Sequence, residues 1–345
     1  LHVLPVYGCH VPKIVKRTPP SPKIAARDFL PTSRLDRLIQ SFLLHGDVSG
    51  HSPRTISTRR ERLAALSWFA TNRQLETIGL QELRAFFQYM RHGHESAEGL
   101  WGLENHKKPL SSGTIKSYHA TIRTFFNWLV AEGDLDSSPM ERITPPVDRP
   151  DQVQPFTDAQ LRAMQVAAQK ASRREAAVFA VLLDTGIRAS ELCALTVADA
   201  DLTDGQLRIR SGKGGKGRSV PISSDAKRAL YQWLKERGDA EGIDPLFPST
   251  RGVRAGEHMT KEGALKMVGR WGAAAGFQRT RLSPHTFRHT FAVTFLRLGG
   301  DVFTLKAILG HESLTMVNRY VALAQADVTR KHAQFSPLGS IRRKR

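Results

Sequence analysis

The chain has 345 residues, 40% of them hydrophobic, with 51 lysines and arginines against 32 aspartates and glutamates, a formal net charge of +19. Single domains run about 100–200 residues, so this composition supplies a globular core in roughly two domains and excludes disorder for most of the chain. The charge predicts a polyanionic partner (nucleic acid, an anionic membrane or an acidic protein), and the longest apolar run, residues 176–183, falls far short of the ~20 residues of a membrane span.

Residues 1–30 read as a flexible basic arm, rich in proline and cations and without periodicity. They lack the basic-then-apolar layout of a secretion signal, and with only two cysteines, Cys9 and Cys193, the chain fits a reducing cytoplasmic compartment. Residues 31–140 are expected to form a helical domain. Within it Leu35, Leu38, Ile39 and Phe42 share one face, and Leu63, Leu66, Phe69 and Ala70 form a stripe along residues 54–72. Ile115, Tyr118, Ile122, Phe125, Phe126 and Leu129 follow the helical period along residues 114–132, with Ser111 or Ser112 suited to cap and Gly133 to terminate. Residues 92–109 read as an inserted loop. Residues 141–156 hold four prolines and no apolar period, and are expected to be an extended linker.

The second domain is expected over 157–345, ending in a basic tail. Thr157 is placed to cap a helix over 158–170. One β segment follows, 206–210 and 218–222 around a glycine-rich turn, and then helices over 224–237, 260–276, 285–298, 302–309 and 314–324. The turn, GKGGKGRS from Gly212 to Ser219, approaches a phosphate-binding loop but puts Arg218 where lysine is needed and is followed by a strand rather than a helix. A hairpin presenting Lys213 and Lys216 is the better fit.

Four short segments concentrate polar chemistry. In TGIRASEL, Arg188 and Glu191 stand one helical turn apart, the spacing of an ordinary surface ion pair. In SPHTFRH, Ser283 caps, Pro284 takes the first helical position, and His285, Arg288 and His289 fall on one side, away from an apolar stripe of Phe287, Phe291, Phe295 and Leu298. His285 and His289 have zinc-ligand spacing but no third ligand in a recognised motif. His311 lies in a helix joint within LGHES, and Tyr320 follows Met316 and Val317 as a core aromatic would.

In order and spacing these segments resemble the tyrosine recombinases, the Xer and phage-integrase type of site-specific recombinase, over about residues 157–323. The resemblance implies a mainly α fold in two domains: a helical core-binding domain and a mixed α/β, mostly helical catalytic domain with a small sheet. It implies attack by Tyr320 on a DNA phosphodiester, giving a 3′-phosphotyrosine and a free 5′-hydroxyl that keep the bond energy for rejoining. Arg188 and Arg288 would hold the non-bridging oxygens, Lys213 would protonate the departing oxygen, His285 would assist proton transfer and His311 would hydrogen-bond the phosphate. Glu191 would orient Arg188 or a histidine. No metal or other cofactor is implied.

The partners implied are double-stranded DNA recombination sites, bound by a homotetramer that exchanges strands through a Holliday junction near the nucleoid, with no membrane. Integration, transposition, excision and resolution all fit these residues. Two domains joined by an extended linker suggest a clamp around duplex DNA, with Arg54, Arg59, Arg60, Lys116, Arg123, Lys216 and Arg218 as candidate phosphate contacts. Three rivals remain: an inactive DNA-binding module, a metal-dependent nuclease and a type IB topoisomerase. For the nuclease the only acids between Ser283 and Ala324 are Asp301 and Glu312.

Overall fold

Ser52 and Ser111, each followed three residues later by a threonine whose backbone N–H its hydroxyl accepts at 3.2 Å, set where two of the longest helices begin. The computed structural model describes residues 28–93, 99–147, 154–210, 217–250, 252–277, 282–311, 313–314, 317–318, 320–321, 332, 336 and 338. The expected arm and tail, Lys213 and Lys216 therefore lie almost wholly or wholly outside the described residues. The chain divides into two units, Leu1–Asp151 and Gln152–Arg345.

The first unit packs four helices, α1 (Thr32–Val48), α2 (Pro53–Asn72), α3 (Leu80–Arg91) and α4 (Ser112–Ala131), around Phe42, Leu63, Phe69, Phe86 and Phe125. Two strands of two residues, β1 (Leu30–Pro31) and β2 (Thr77–Ile78), pair antiparallel with Leu30 opposite Ile78. Both of those residues are buried, so Leu30, at the end of the stretch expected to be arm, belongs to the core. The expected inserted loop also contributes to the core. Leu100 is buried, and Trp101 stacks near Phe86 and Tyr118 with centroids 5.5 and 6.0 Å away. A single tryptophan in a segment with no period gives no helical signal, yet aromatic burial is enough to dock it.

In the second unit, α5 (Asp158–Ala171) starts at the expected cap, Thr157, which accepts the Gln160 N–H at 3.2 Å. It is followed by α6 (Arg173–Thr185), α7 (Ala189–Ala194) and an antiparallel sheet in the order β3 (Ala200–Asp201), β4 (Gln206–Ile209), β5 (Arg218–Pro221). The hairpin expected from the sequence is β4–β5, with Ile209 opposite Arg218 at its base, and β3 is an addition to it. Then come α8 (Ser224–Arg237), α9 (Lys261–Ala274), α10 (Pro284–Arg297) and α11 (Val302–Leu309). Of the residues expected in a last helix, Leu314, Val317, Asn318, Tyr320 and Val321 are helical.

Phe287 at the start of α10 is fully buried and meets Phe179, Trp271 and Phe156 edge to face at 5.3, 6.2 and 5.1 Å. The Phe156 N–H donates to Thr290 at 2.9 Å, so the end of the expected linker is fastened to α10. The apolar stripe read along α10 does not run its full length, because Leu298 is exposed. Toward its end the helix turns Val293 and Leu296 inward instead, into a cluster with Leu305, Leu309, Val317 and Tyr320. No helix among the described residues is long and apolar enough to cross a membrane.

Candidate active site

Two glycine helix ends build the site. α6 ends on Gly186 at φ +59°, a conformation in which side chains are strained, and a Cβ there would fall 2.5 Å from Phe291. α11 ends on Gly310 at φ +63°. The first turn delivers Arg188 and α7; the second delivers His311.

Arg188 is the N-cap of α7, and Glu191 accepts its backbone N–H at 2.8 Å. The pair is not the surface ion pair its spacing suggests, because Glu191 is 5% exposed. Its carboxylate accepts from Arg188 Nη1 at 2.8 Å and from both Nη atoms of Arg218 at 2.9 Å. Burial would raise the carboxyl's pKa, but the hydrogen bonds from Arg218 and Arg188 prevail and bring it from 4.5 to about 2. Of the two partners the sequence allowed for Glu191, the structure selects Arg188. It adds Arg218, which the sequence assigns to DNA contact. That assignment is corrected: the Arg218 side chain is 14% exposed and turned inward.

The end of α11 holds the three arginines in a row. Ile308 O accepts from Arg218 Nε at 2.8 Å, Leu309 O from Arg288 Nη2 at 2.9 Å, and Gly310 O from Arg188 Nη2 at 3.4 Å. These are the carbonyls a helix leaves unpaired at its C-terminus, where its dipole favours cations. Arg288 also donates to Gly186 O at 2.9 Å, so both glycine helix ends meet on it. Burial, then repulsion from Arg188, lowers the Arg288 pKa to about 10, which leaves it charged at neutral pH.

Arg288 Nη2 also lies 2.7 Å from His311 Nε2. An arginine only donates, so Nε2 accepts and the neutral ring carries its proton on Nδ1. Burial first, then Arg288, Arg188 and Arg218, hold the His311 pKa down at about 4. Tyr320 is buried between His311, nearly parallel at 6.3 Å, and His289 at 5.2 Å. Of the trio expected on one side of α10, Arg288 and His289 are buried and His285 is exposed.

A cavity of about 360 Å³ opens beside this cluster, lined by Arg188, Ser190, Lys261, Leu265, Ser283, His285 and Arg288. Lys261, at the first position of α9, was missed in the sequence. Its only local signal is the Thr260 cap before it. With two arginines, a lysine and the first turns of α9 and α10 on its walls, the cavity suits an anionic group such as a phosphodiester. Among the described residues no group of three or more His, Cys, Asp or Glu could hold a metal ion.

In the first unit Arg54, Arg60, Lys116 and Arg123 are exposed. Arg59 is engaged locally, 2.9 Å from His51 Nδ1 and 5.0 Å over the Phe42 ring. Neighbouring Arg62 braces α4 from within, donating to Ser117 O at 3.0 Å and Thr121 Oγ1 at 2.9 Å.

A family model described as the phage integrase family matches residues 152–327. A tyrosine recombinase XerD of Shewanella oneidensis is 30% identical over 320 residues, 89% of this chain and 99% of that one. A tyrosine recombinase XerC of Chromobacterium violaceum is 29% identical over 84% of this chain and 91% of its own. Among solved structures, the Tn1549 transposon integrase in complex with transposon right end DNA superposes with a TM-score of 0.67 at 20% identity, covering 87% of this chain and 98% of that one. A lambda integrase dimer bound to a COC′ core site gives 0.63 at 18% identity over 82% and 96%. The fold is shared with both.

Proposed function

The chain belongs to the phage integrase family of tyrosine recombinases, and on that footing we propose that it performs site-specific DNA recombination with Tyr320 as the nucleophile. The phenol oxygen attacks the phosphorus of one phosphodiester, the P–O5′ bond breaks, and a 3′-phosphotyrosyl ester and a 5′-hydroxyl result. Attack by a 5′-hydroxyl on that ester reverses the chemistry on a new strand.

The observation that carries this reading is the unbroken contact from cavity to tyrosine. Arg188 and Arg288 line the cavity, Arg288 holds His311, and His311 stacks on Tyr320. A guanidinium has five N–H donors. Arg288 commits three of them, to Gly186, Leu309 and His311, and Arg188 commits two, to Glu191 and Gly310. The remaining donors serve the non-bridging oxygens, where charge grows in the transition state. Losing one such donor typically slows a reaction about 10²–10³-fold. His311, accepting at Nε2 before DNA arrives, orients Arg288; donating to the phosphate from that atom takes the other tautomer or the charged ring. His285, on the cavity wall, would assist proton transfer at the nucleophile, and Lys213 would supply the proton to O5′.

Duplex recombination sites are the substrate and a tetramer is the working assembly. Arg54, Arg60, Lys116, Arg123 and Lys216 contribute phosphate contacts that position the protein without reading sequence. The test is incubation of nicked random-sequence duplexes with protein in EDTA, followed by sequencing of the SDS-resistant adducts. Wild type forms adducts at a defined site, and Tyr320→Phe forms none while it still shifts the same DNA in a gel. An adduct with Tyr320→Phe overturns the assignment.

A further inference from the structure

We propose that residues 99–111 of the first unit form a phosphate-binding surface for duplex DNA, in which a docked loop presents Lys107 and Lys108 beside the exposed cations of α4. The proposal rests on the reading of duplex DNA as the substrate.

The segment has the composition of a loop and the anchoring of a core element. Leu100 is buried, and Trp101 packs against Trp68, Phe86, Tyr89 and Tyr118 with centroids 5.9, 5.5, 5.3 and 6.0 Å away. The backbone closes on itself: the Leu103 N–H donates to Leu100 O at 3.1 Å, His106 N–H to Leu103 O at 2.8 Å, and Leu100 N–H to His106 O at 2.8 Å. The Leu110 N–H donates to Met90 O at 2.9 Å, which ties the far end to α3. Trp101 has φ +58°, in the left-handed region that a bulky side chain rarely occupies. Such strain persists only where the surroundings hold it, and it collects at sites that bind or react. Gly99 has φ +65°, and a Cβ there would run into Leu103 O.

What this anchoring holds out to solvent is cationic. His106, Lys107 and Lys108 are exposed and, with Asn105 and Ser111, line a cavity of about 510 Å³ in which Glu104 is the one acid among the lining residues. Lysine, asparagine and serine side chains offer donors to the two free oxygens of a phosphodiester, which is the chemistry of backbone contact rather than of base reading. Ser111 is also the N-cap of α4, so the cavity lies where that helix begins. Lys116 follows five residues later, about 7.5 Å along the axis, and is exposed, as is Arg123 two turns further on. These spacings suit neighbouring phosphates of one strand. The loop lysines thus lengthen a row of cations that α4 starts, and a polyanionic duplex matches the whole row.

The test is equilibrium binding across salt concentrations to a duplex on which wild type forms adducts, with contacted phosphates mapped by ethylation interference. Wild type, Lys107→Gln/Lys108→Gln and Gly99→Ala are compared, and adduct formation at saturating protein is followed in parallel. The lysine double variant leaves the aromatic anchor untouched. It is expected to lower the slope of log affinity against log salt by about 1.8, at about 0.9 per phosphate, and to lose one or two phosphates from the pattern while the others persist. Gly99→Ala keeps both lysines and is expected to lose the same phosphates, because the loop no longer closes. An unchanged slope and pattern in the lysine variant overturns the proposal. An unchanged slope with loss of the higher-order complexes marks a surface for a second protein and overturns it equally. Loss of those phosphates in the lysine variant but not in Gly99→Ala overturns the role given to the docked loop. Wild type without adducts overturns the functional reading and the proposal with it, whereas adducts beside an unchanged lysine variant overturn the proposal alone.

Discussion

Replacing Glu191 by glutamine keeps the side chain's shape and removes the carboxylate that, among the described residues, pairs with Arg188 and Arg218. Holding a carboxyl at about 2 instead of 4.5 is worth about 3 kcal/mol of stability at neutral pH, at about 1.4 kcal/mol per pH unit. The sign follows from the lowered pKa. The contribution is full above 4.5, where the unfolded chain's carboxyl is also ionised, and is lost as pH falls toward 2, where the folded protein's carboxylate protonates. Glu191→Gln is therefore expected to destabilise the second unit by about 3 kcal/mol at pH 7, and by about 1.5 kcal/mol at pH 3, where most of that linkage has gone in the wild type. Urea unfolding at the two pH values tests this, with the unit followed by hydrogen exchange in a peptide spanning residues 176–196. A gap under about 1 kcal/mol at pH 7, or one of equal size at pH 3, refutes the reasoning.

Two further outcomes follow from the glycine end of α11 and the histidine beyond it. Gly276 and Gly310 both have positive φ, +76° and +63°, but a Cβ meets nothing within 4 Å at Gly276 and meets Arg218 at Gly310. Gly276→Ala should cost about 1 kcal/mol and leave single-turnover cleavage unchanged, whereas Gly310→Ala should cost more and slow cleavage; equal effects would mean that the Arg218 contact carries nothing. In the DNA-free protein the His311 ring resonances should titrate near 4, and Arg288→Gln should move that midpoint upward by removing the largest charge effect on it. A wild-type midpoint at about 6 or above would show that the three arginines do not act on the ring as the geometry requires.

The elements that the sequence discloses are those with local causes. Thr157, Ser111 and Ser283 announce helices because a cap and the N–H it satisfies lie three residues apart. Arg188, Arg288, His311 and Tyr320 are recognisable by order and spacing, and the fold brings Arg188, Arg288 and His311 within one another's reach. What stayed hidden joins positions far apart in the chain. Arg218 and Glu191 are 27 positions apart, and Arg218 and Ile308 are 90 apart. The acceptor in the second case is a backbone carbonyl, which leaves no mark in composition or period. Arg218 therefore looked like one more cation of a basic turn, just as Trp101 looked like part of a loop.

The choice of carbonyls over carboxylates to hold these arginines has a consequence for the reaction. A second and third acidic residue would neutralise Arg188 and Arg288 and would repel an incoming phosphodiester, so their removal would have to accompany each turnover. Peptide carbonyls at a helix end orient a guanidinium without cancelling its charge. The buried Glu191 carboxylate goes instead mainly to Arg218, which donates two hydrogen bonds to it and stands away from the cavity lining, while Arg188 shares only one oxygen. The DNA-free site is left with unbalanced positive charge, which adds to burial in lowering the pKa values of Arg288 and His311. On the proposed reading, that repulsion would be held in place by the rest of the fold and relieved when a phosphate enters, most of all when its oxygens gain charge. The arrangement would then bind the transition state more strongly than the ground state, which is the condition for accelerating the chemical step rather than only retaining DNA.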